Sequence, residues 1–387
     1  CKDYLRRKEN IGKWFGPARF GLFYHWGLFT AGGSTSVHED HYFPMHLKSV
    51  EEFEAATPAP EVVAKNMLDA ACQVGARYIT FTMVHTCDAM LWLYPSKAPG
   101  YLRKTKQDYL GAVLDECARR DVKCIVYFPN SAGEHWNSGG TEWIDERYST
   151  QENFAELMRF VFRELFERYG DKIAGFWMDG CNIPHASSLA EYARSLKEDI
   201  IFNINNETDF DVAGMDMCTT EFLAKESFPS YNRPDGLSVP NHKPATPLPP
   251  KDFNEDIPTC NGWWNHEYEE RYNPGAWQEY LKDRKPYVED KTYFVKEMLA
   301  SLGQRGQWNY TLGIGPKLDG TMPEEFRPMF ENMHRFMGWA GEAIYNTTGG
   351  EGSLIRPGWW NWWHNGKGKT FGSVTRSLCD EALYYLH

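Results

Sequence analysis

The 387-residue sequence has no run of about 18 consecutive apolar residues, so it contains no candidate membrane-spanning helix. It also has no basic stripe. Lys and Arg number 41 against 53 Asp and Glu, and the formal net charge is −12, which argues against a nucleic-acid partner. Cys-x-x-Cys pairs are missing as well, so neither a zinc site nor a redox dithiol is indicated. The nine cysteines are expected to be free and mostly buried thiols.

An initiating methionine is also missing, and the first residue is Cys1. A leading cysteine fits the lipid-modified residue of a bacterial lipoprotein after signal removal, and it fits a trimmed boundary equally well. The first alternative predicts a lipid anchor at Cys1 and an extracytoplasmic location, either periplasmic or on the bacterial cell surface.

Aromatic side chains are what the sequence has in excess. They make up 15% of the residues and include 15 Trp and 21 Tyr. Core packing accounts for part of this excess. Because flat aromatic faces also pack on the apolar side of sugar rings, the composition favours carbohydrate as the ligand class.

Strand-like and helix-like segments alternate about eight times along the chain. The central segment, Ile173–Asp179, is a continuous apolar run typical of a strand buried on both faces. The alternation predicts a (β/α)₈ TIM-like barrel over residues 1–346, with a doubly wound sheet as the alternative. Residues 347–387 predict the start of a small β-sandwich-like C-terminal domain, which we expect to be incomplete at His387. The other predicted strands cover residues 19–27, 76–85, 123–129, 200–205, 215–221, 260–266 and 308–315, and the Pro-rich residues 227–258 predict a loop or an insertion. Residues 150–169 predict a helix, because apolar residues recur on one of its faces.

Polar residues end several of these strands, namely His25, His85, Asp179 and Asn205. The position of these residues favours the barrel, because the C-terminal ends of barrel strands converge on one face and carry the chemistry. A carboxylate ending a buried strand is costly unless it is paired. Asp179 is therefore either a turn or cap residue or a nucleophile at the barrel mouth.

Glycoside cleavage with retention needs two carboxyl groups about 5–5.5 Å apart, one nucleophilic and one acting as acid and then as base. Asp179 is the candidate nucleophile. Glu255 is the first candidate acid, because it precedes an aromatic segment containing Trp264, and an aromatic pocket raises a carboxyl pKa by desolvation. Trp264 is also expected to contact the substrate. The alternative acids are Glu221, Glu207 and Glu267.

The N-terminal histidines allow two interpretations. His25 and His85 could hydrogen-bond sugar hydroxyls as neutral imidazoles. A zinc site is the rival, since His38, His41 and His46 lie in the same region. Because no His-x-x-x-His pair sits on a helical segment with a helping Glu, we predict neither a metal nor a cofactor.

Four segments, in this order, resemble those of glycoside hydrolase family 29, the retaining α-L-fucosidases: 19–27 (RFGLFYHWG), 176–180 (FWMDG), 308–320 (WNYTLGIGPKLDG) and 338–345 (GWAGEAIY). The resemblance covers nearly the whole chain. It implies a catalytic barrel followed by a β-sandwich and an exo-acting double-displacement mechanism with an Asp nucleophile and a Glu acid/base. It also implies an oligosaccharide or glycoconjugate substrate.

The resemblance assigns roles to residues that match the family's segments. It implies that Asp179 is the nucleophile, that His25 binds the sugar and that Trp177 is the aromatic residue two positions before the nucleophile. His85 falls on the family's His-His-Asp-Gly-Phe segment, and Tyr127 falls on its third-strand tyrosine. Three further positions lie in segments similar to the family's: Glu39 and Tyr42 near its Glu-Trp-Tyr loop, and Glu255 at the acid position when 261–262 is aligned with its Asn-Gly.

Two departures from the family pattern bear on the sugar. Asn205 stands where the family often has an active-site arginine, and the second histidine of the His-His-Asp-Gly-Phe segment is lost after His85. Unmatched polar groups in a pocket discriminate strongly between sugars. An α-L-fucosidase is the first prediction, and a hydrolase for an α-galactoside-type sugar or a modified fucose is the second. A catalytically inactive glycan-binding barrel is the alternative from a different functional class.

Overall fold

The structure is a computed structural model that describes residues 2–30, 37–38, 41–42, 49–85, 88, 90–129, 144–179, 185–205, 214–220, 253–258, 264, 291–303, 307–349 and 373–387. The helices of this part are α1 (Lys2–Ala18), α2 (Val50–Ala56), α3 (Pro60–Gln73), α4 (Tyr109–Arg119), α5 (Gln151–Tyr169), α6 (Ala186–Leu196), α7 (Tyr293–Leu302) and α8 (Arg327–Ile344). The strands are β1 (Phe20–Tyr24), β2 (Val37–His38), β3 (His41–Tyr42), β4 (Tyr78–Thr82), β5 (Lys123–Pro129), β6 (Ile173–Asp179), β7 (Ile201–Ile204), β8 (Cys218–Thr220), β9 (Phe253–Asp256), β10 (Gln307–Ile314), β11 (Thr347–Gly349), β12 (Val374–Ser377) and β13 (Tyr384–Leu386).

Eight of these strands form one curled parallel sheet in the order β7-β6-β5-β4-β1-β10-β9-β8. This is the strand order of a TIM-like barrel, in which each strand pairs with its neighbours along the chain and the last closes on the first. The two edge strands meet, because Asn203 on β7 donates its side-chain N–H to the hydroxyl of Thr219 on β8. The predicted barrel is therefore confirmed, and the doubly wound alternative is wrong.

Local sequence signals account for the helices that surround the sheet. Helix α5 begins after Thr150, whose hydroxyl accepts a hydrogen bond from the amide of Asn153 at 3.2 Å. Its buried residues are apolar except for Glu164, and it ends at Tyr169, just before Gly170, which has φ of +56°. The predicted helix over 150–169 is therefore confirmed to within one residue.

One barrel strand lies where the sequence predicts none. The seventh barrel strand is β9, which falls inside the Pro-rich stretch 227–258 that predicts a loop or an insertion. It consists of Phe, Asn, Glu and Asp, so it lacks the apolar run or alternation by which strands are recognised. The predicted seventh strand at 260–266 lies, except for residue 264, outside the described residues.

The barrel interior is filled by large side chains and closed at its N-terminal end by α1. Phe23, Tyr78, Tyr127 and Trp177 pack inside it together with Phe15 of α1. The ring of Phe15 lies 5.2 Å from that of Tyr78. A second and larger apolar cluster lies between the sheet and the outer helices. The interior is thus a packed core.

The C-terminal residues add a three-stranded antiparallel sheet in the order β11-β12-β13. It fits the predicted start of a β-domain, while the domain division between residues 346 and 347 stays a prediction. Within the described residues, no helix combines the length and the apolar character that crossing a membrane requires.

Gly21 on β1 leaves room for the ring of Tyr78. A Cβ at Gly21 would lie 2.5 Å from Cε2 of that ring. We expect Gly21→Ala to lower the free energy of unfolding by about 1–3 kcal/mol, because a full interior cannot take the added methyl. Gly338→Ala is the matched control, since a Cβ at this exposed helical glycine meets nothing within 4 Å. That change should raise stability by about 0.5–1 kcal/mol. Equal urea midpoints for the two variants would contradict the overpacking argument.

Candidate active site

The C-terminal ends of neighbouring strands bring most of the predicted site residues together. His25 follows β1, His85 follows β4, Asp179 ends β6 and Asn205 follows β7. The backbone amide of His25 donates to the carbonyl of Ile314 at 3.1 Å, and that of Asn205 donates to the carbonyl of Met178 at 2.7 Å. These hydrogen bonds continue the sheet by one residue beyond its strands and hold both side chains at the mouth of the barrel.

The Asp179 carboxylate is half-buried and held by two side-chain donors. Tyr127 Oη donates to Asp179 Oδ2 at 2.7 Å, and Asn205 Nδ2 donates to Asp179 Oδ1 at 3.0 Å. An ionised carboxylate only accepts hydrogen bonds, so two donors suit its charged form. The partners lie on β5 and after β7, on either side of β6. The arrangement orients the carboxylate at the mouth of the barrel, and the sequence identified all three residues.

One wall of the mouth is made of His25, His85 and Trp264. The two imidazole rings lie 5.5 Å apart, and the indole of Trp264 lies 5.4 Å from His25 and 5.3 Å from His85. His85 also stacks on Tyr127 at 5.2 Å. This wall therefore touches the tyrosine that binds Asp179. It combines ring nitrogens that can bind hydroxyls with aromatic surface that can pack on a sugar face.

Beneath the carboxylate lies a floor of aromatic rings. Trp177 stacks on Tyr127 at 5.5 Å, and Phe23 packs edge-on against both of these rings. Phe23 also lies 4.7 Å from the ring of His25. The floor fixes the ring of Tyr127 from below, so its hydroxyl is held in line with Asp179.

Glu255 lies inside the barrel on β9. It is 1% exposed, and its Oε1 accepts hydrogen bonds from Thr311 at 2.5 Å and from Tyr78 at 3.3 Å. Burial raises the pKa of this carboxyl to about 7, against the opposing effect of the hydrogen bonds from Thr311 and Tyr78. The raised pKa suits an acid, whereas the partners are those of a barrel-interior residue. The assignment of Glu255 as the acid/base stays a prediction.

Several predicted residues cannot be located at the site. Tyr42 lies on the short strand β3, and its side chain is outside the described part of the structure. The other such candidates are outside the described residues altogether: Glu39, Glu207, Glu221 and Glu267. Among the residues that are described, no three or more His, Cys, Asp or Glu side chains converge in a way that could hold a metal ion.

Two residues near the mouth of the barrel were not predicted from the sequence. Phe29 packs against Trp264 with ring centroids 5.1 Å apart. Asp88 is 1% exposed and accepts a hydrogen bond from the backbone amide of Phe29. The available signal for Asp88 was a charged residue shortly before the apolar run Met90–Tyr94. That signal is weak, because an aspartate in a loop is most often a turn residue.

Comparison with known proteins gives a consistent result. The family model described as Alpha-L-fucosidase matches residues 3–342 of the chain. No curated protein sequence matches it. Solved structures resemble this chain clearly in fold, but their sequence identity to it is low. The similarity therefore shows the fold alone.

Three of these structures illustrate the similarity. α-L-Fucosidase isoenzyme 1 from Paenibacillus thiaminolyticus has a TM-score of 0.65 and 18% identity, covering 96% of this chain and 82% of that one. A GH29 α-L-fucosidase from Bacteroides thetaiotaomicron, solved as a trapped covalent intermediate, has a TM-score of 0.62 and 17% identity, with coverages of 96% and 81%. The Thermotoga maritima α-fucosidase in complex with fucose has a TM-score of 0.56 and 17% identity, with coverages of 87% and 76%.

Proposed function

The chain belongs to the α-L-fucosidase family, glycoside hydrolase family 29, and from this premise we propose that it releases terminal α-L-fucose from oligosaccharides or glycoconjugates with retention of configuration. The observation that carries the proposal is the Asp179 carboxylate at the end of β6, held by Tyr127 and Asn205 and connected through Tyr127 to the wall of His25, His85 and Trp264. A turn or cap residue would have no need of two side-chain donors from neighbouring barrel strands.

The proposed reaction proceeds in two displacements. A carboxylate oxygen of Asp179 attacks the anomeric carbon while a protonated acid gives its proton to the glycosidic oxygen, so the C–O bond breaks and an alcohol leaves. A glycosyl ester of Asp179 remains. The acid residue, now ionised, removes a proton from water, and the water oxygen attacks the same carbon and frees Asp179. Glu255 is the first candidate for the acid/base, and Glu221 is the second.

The names of two structural relatives support fucose as the sugar. The Thermotoga enzyme is described in complex with fucose. The Bacteroides enzyme is described with 2-fluoro-fucosyl fluoride, a reagent that yields a covalent intermediate. In this chain, His25 and His85 would bind sugar hydroxyls and Trp264 would cover an apolar face of the ring.

A second sugar is favoured by Asn205, which donates to Asp179 and which stands where the resemblance to the family leads us to expect an arginine. A shorter neutral side chain satisfies fewer sugar hydroxyls than a guanidinium. An α-galactoside-type sugar or a modified fucose is therefore the alternative substrate, and an inactive glycan-binding barrel is the alternative without chemistry. An extracytoplasmic location and a lipid anchor at Cys1 remain predictions.

The proposal is tested with a panel of 4-nitrophenyl glycosides that includes α-L-fucoside, α-D-galactoside and β-D-fucoside. We expect turnover of the α-L-fucoside, with α-L-fucose as the first anomer seen by proton NMR, because two inversions restore the configuration. Faster turnover of the α-D-galactoside than of the α-L-fucoside would contradict fucose as the sugar and support the α-galactoside-type alternative. No turnover of any substrate, with fucose binding retained in calorimetry, would favour the glycan-binding barrel.

The hydrogen bond from Tyr127 to Asp179 makes a separate prediction. Tyr127→Phe removes one hydroxyl from a packed ring and leaves the stack with Trp177 in place. Because a hydrogen bond to a charged group contributes about 1.5–3 kcal/mol, kcat/KM should fall about 10- to 100-fold. Tyr148→Phe is the control, since its hydroxyl donates to the carbonyl of Pro99. An unchanged kcat/KM in Tyr127→Phe would show that this hydrogen bond does not serve the nucleophile.

A further inference from the structure

Asp88 is a buried carboxylate between two of the loops that form the mouth of the barrel. It belongs to the loop after β4, where its amide donates to the carbonyl of His85 at 3.1 Å and its carbonyl accepts from the amide of Leu91 at 3.1 Å. Its side chain reaches the loop after β1, where the amide of Phe29 donates to Asp88 Oδ1. One side chain therefore bridges the loop that follows His25 and the loop that follows His85.

The contact between these loops is close enough to exclude a side chain at Gly27. A Cβ built there would lie 2.1 Å from Asp88 Oδ2. On the other side of Asp88, the buried residue Met90 has φ of +51°, a left-handed conformation that is uncommon for a residue other than glycine. Strained backbone of this kind persists only where the surroundings over-determine it. Both loops are thus shaped around the Asp88 carboxylate.

The bridge continues into the sugar-facing wall. Phe29, whose amide donates to Asp88, packs its ring on Trp264, and Trp264 contacts both His25 and His85. A shift of the loop after β1 would therefore move the indole and one imidazole together. Tyr127, Asp179 and Asn205 lie on or directly after β5, β6 and β7, and none of them is a described partner of Asp88.

We propose that Asp88 is a positioning residue that ties the loop after β1 to the loop after β4 and so holds the His25, Trp264 and His85 wall in place for binding the sugar. The role in sugar binding rests on the function proposed above. The chemistry at the anomeric carbon does not involve Asp88.

The charge on Asp88 agrees with this role. Burial raises the pKa of its carboxyl to about 7, although the amides of Phe29 and Leu28 and the nearby guanidinium of Arg103 act in the opposite direction. A buried carboxylate with a raised pKa destabilises the fold at neutral pH. Asparagine offers the same shape without the charge, and its amide oxygen is a weaker hydrogen-bond acceptor than a carboxylate. Asp88→Asn should therefore loosen the bridge without necessarily lowering the melting temperature.

The bridge itself is tested by hydrogen exchange of the amide of Phe29, a measurement that needs no activity. In Asp88→Asn this amide should exchange at least about tenfold faster than in wild type, because a neutral amide oxygen is a weaker acceptor than a carboxylate. Glu164→Gln is the matched control, since this 6%-exposed glutamate accepts from Tyr94, Ser96 and the amide of Lys97, away from the mouth. An amide-exchange rate in Asp88→Asn equal to that of wild type would overturn the proposal, whatever the kinetic constants of the variant are.

The positioning role is tested by kinetics on 4-nitrophenyl α-L-fucoside. We expect KM and the dissociation constant for L-fucose to rise about tenfold in Asp88→Asn while kcat changes less than about threefold, since the wall moves and the nucleophile does not. Partial unfolding would lower kcat and leave KM unchanged. A KM equal to that of Glu164→Gln, despite faster amide exchange, would overturn the positioning role. A wild-type protein that neither hydrolyses the fucoside nor binds fucose would overturn the proposed function. The link that Asp88 makes between the two loops would then still be decided by the amide-exchange experiment.

Discussion

Asp179→Gly is expected to reduce hydrolysis of 4-nitrophenyl α-L-fucoside by about four to six orders of magnitude, because no other described side chain holds a carboxylate in that place. Losses of about this size follow removal of a covalent nucleophile in other hydrolases. Azide should restore turnover in this variant. The small anion can enter the space left by the side chain and attack the anomeric carbon from the same face, so the product is a fucosyl azide of inverted configuration.

The control for this experiment is an aspartate eight residues earlier. Asp171 has a fully exposed side chain at the other end of β6, so Asp171→Asn should keep wild-type kcat/KM, while Asp179→Asn should lose activity and still unfold cooperatively. Hydrolysis that persists in Asp179→Gly, with no azide product, would remove Asp179 from the nucleophile role. It would leave the family membership and the fold as they are.

Glu255→Gln carries the second large prediction. If Glu255 is the acid/base, kcat/KM on a fucosyl disaccharide should fall about 10²- to 10⁴-fold. The loss on 4-nitrophenyl α-L-fucoside should be much smaller, because this leaving group needs little protonation. An acid must be protonated in the free enzyme, and the pKa of Glu255 is raised to about 7. The kcat/KM of wild type on the disaccharide should therefore decline as the pH rises through 7, and the variant should lose that decline.

The same substitution has a pH-dependent effect on stability that holds for either role. A carboxyl whose pKa rises from 4.5 to about 7 on folding stabilises the fold below pH 4.5, and that contribution is lost as the pH rises through 7. The free energy of unfolding of wild type should fall by about 3 kcal/mol more than that of Glu255→Gln across this window. Urea titrations at several pH values measure the difference.

Glu297→Gln is the control for both measurements, since Glu297 is also buried and accepts hydrogen bonds from Tyr310 and Tyr293. An equal loss of kcat/KM on the disaccharide and on the aryl fucoside, with the decline of kcat/KM above pH 7 unchanged, would show that Glu255 has a structural role and is not the acid/base. Glu221 would then be the next acid to substitute, with the same leaving-group comparison.

Elements with a local periodicity were predictable. The helix at Gln151–Tyr169 and the strand at Ile173–Asp179 differ from their predicted bounds by one residue or less. The strand at Phe253–Asp256 was missed, because its polar residues are satisfied by partners that are distant in the chain. Glu255 binds Tyr78, which is 177 residues away, and Thr311, which is 56 residues away. No window of sequence contains those partners.

The sequence by itself determined the barrel, the position of Asp179 at a strand end and the family resemblance, because repeating apolar patterns and short motifs are properties of neighbouring residues. Only the tertiary structure decided which side chains meet. It joined Asp179 to Tyr127 and Asn205, put Glu255 inside the barrel and placed Asp88 between the loops after β1 and β4. Contacts of this kind depend on the curl of the sheet, which sets the distance between residues tens to hundreds of positions apart.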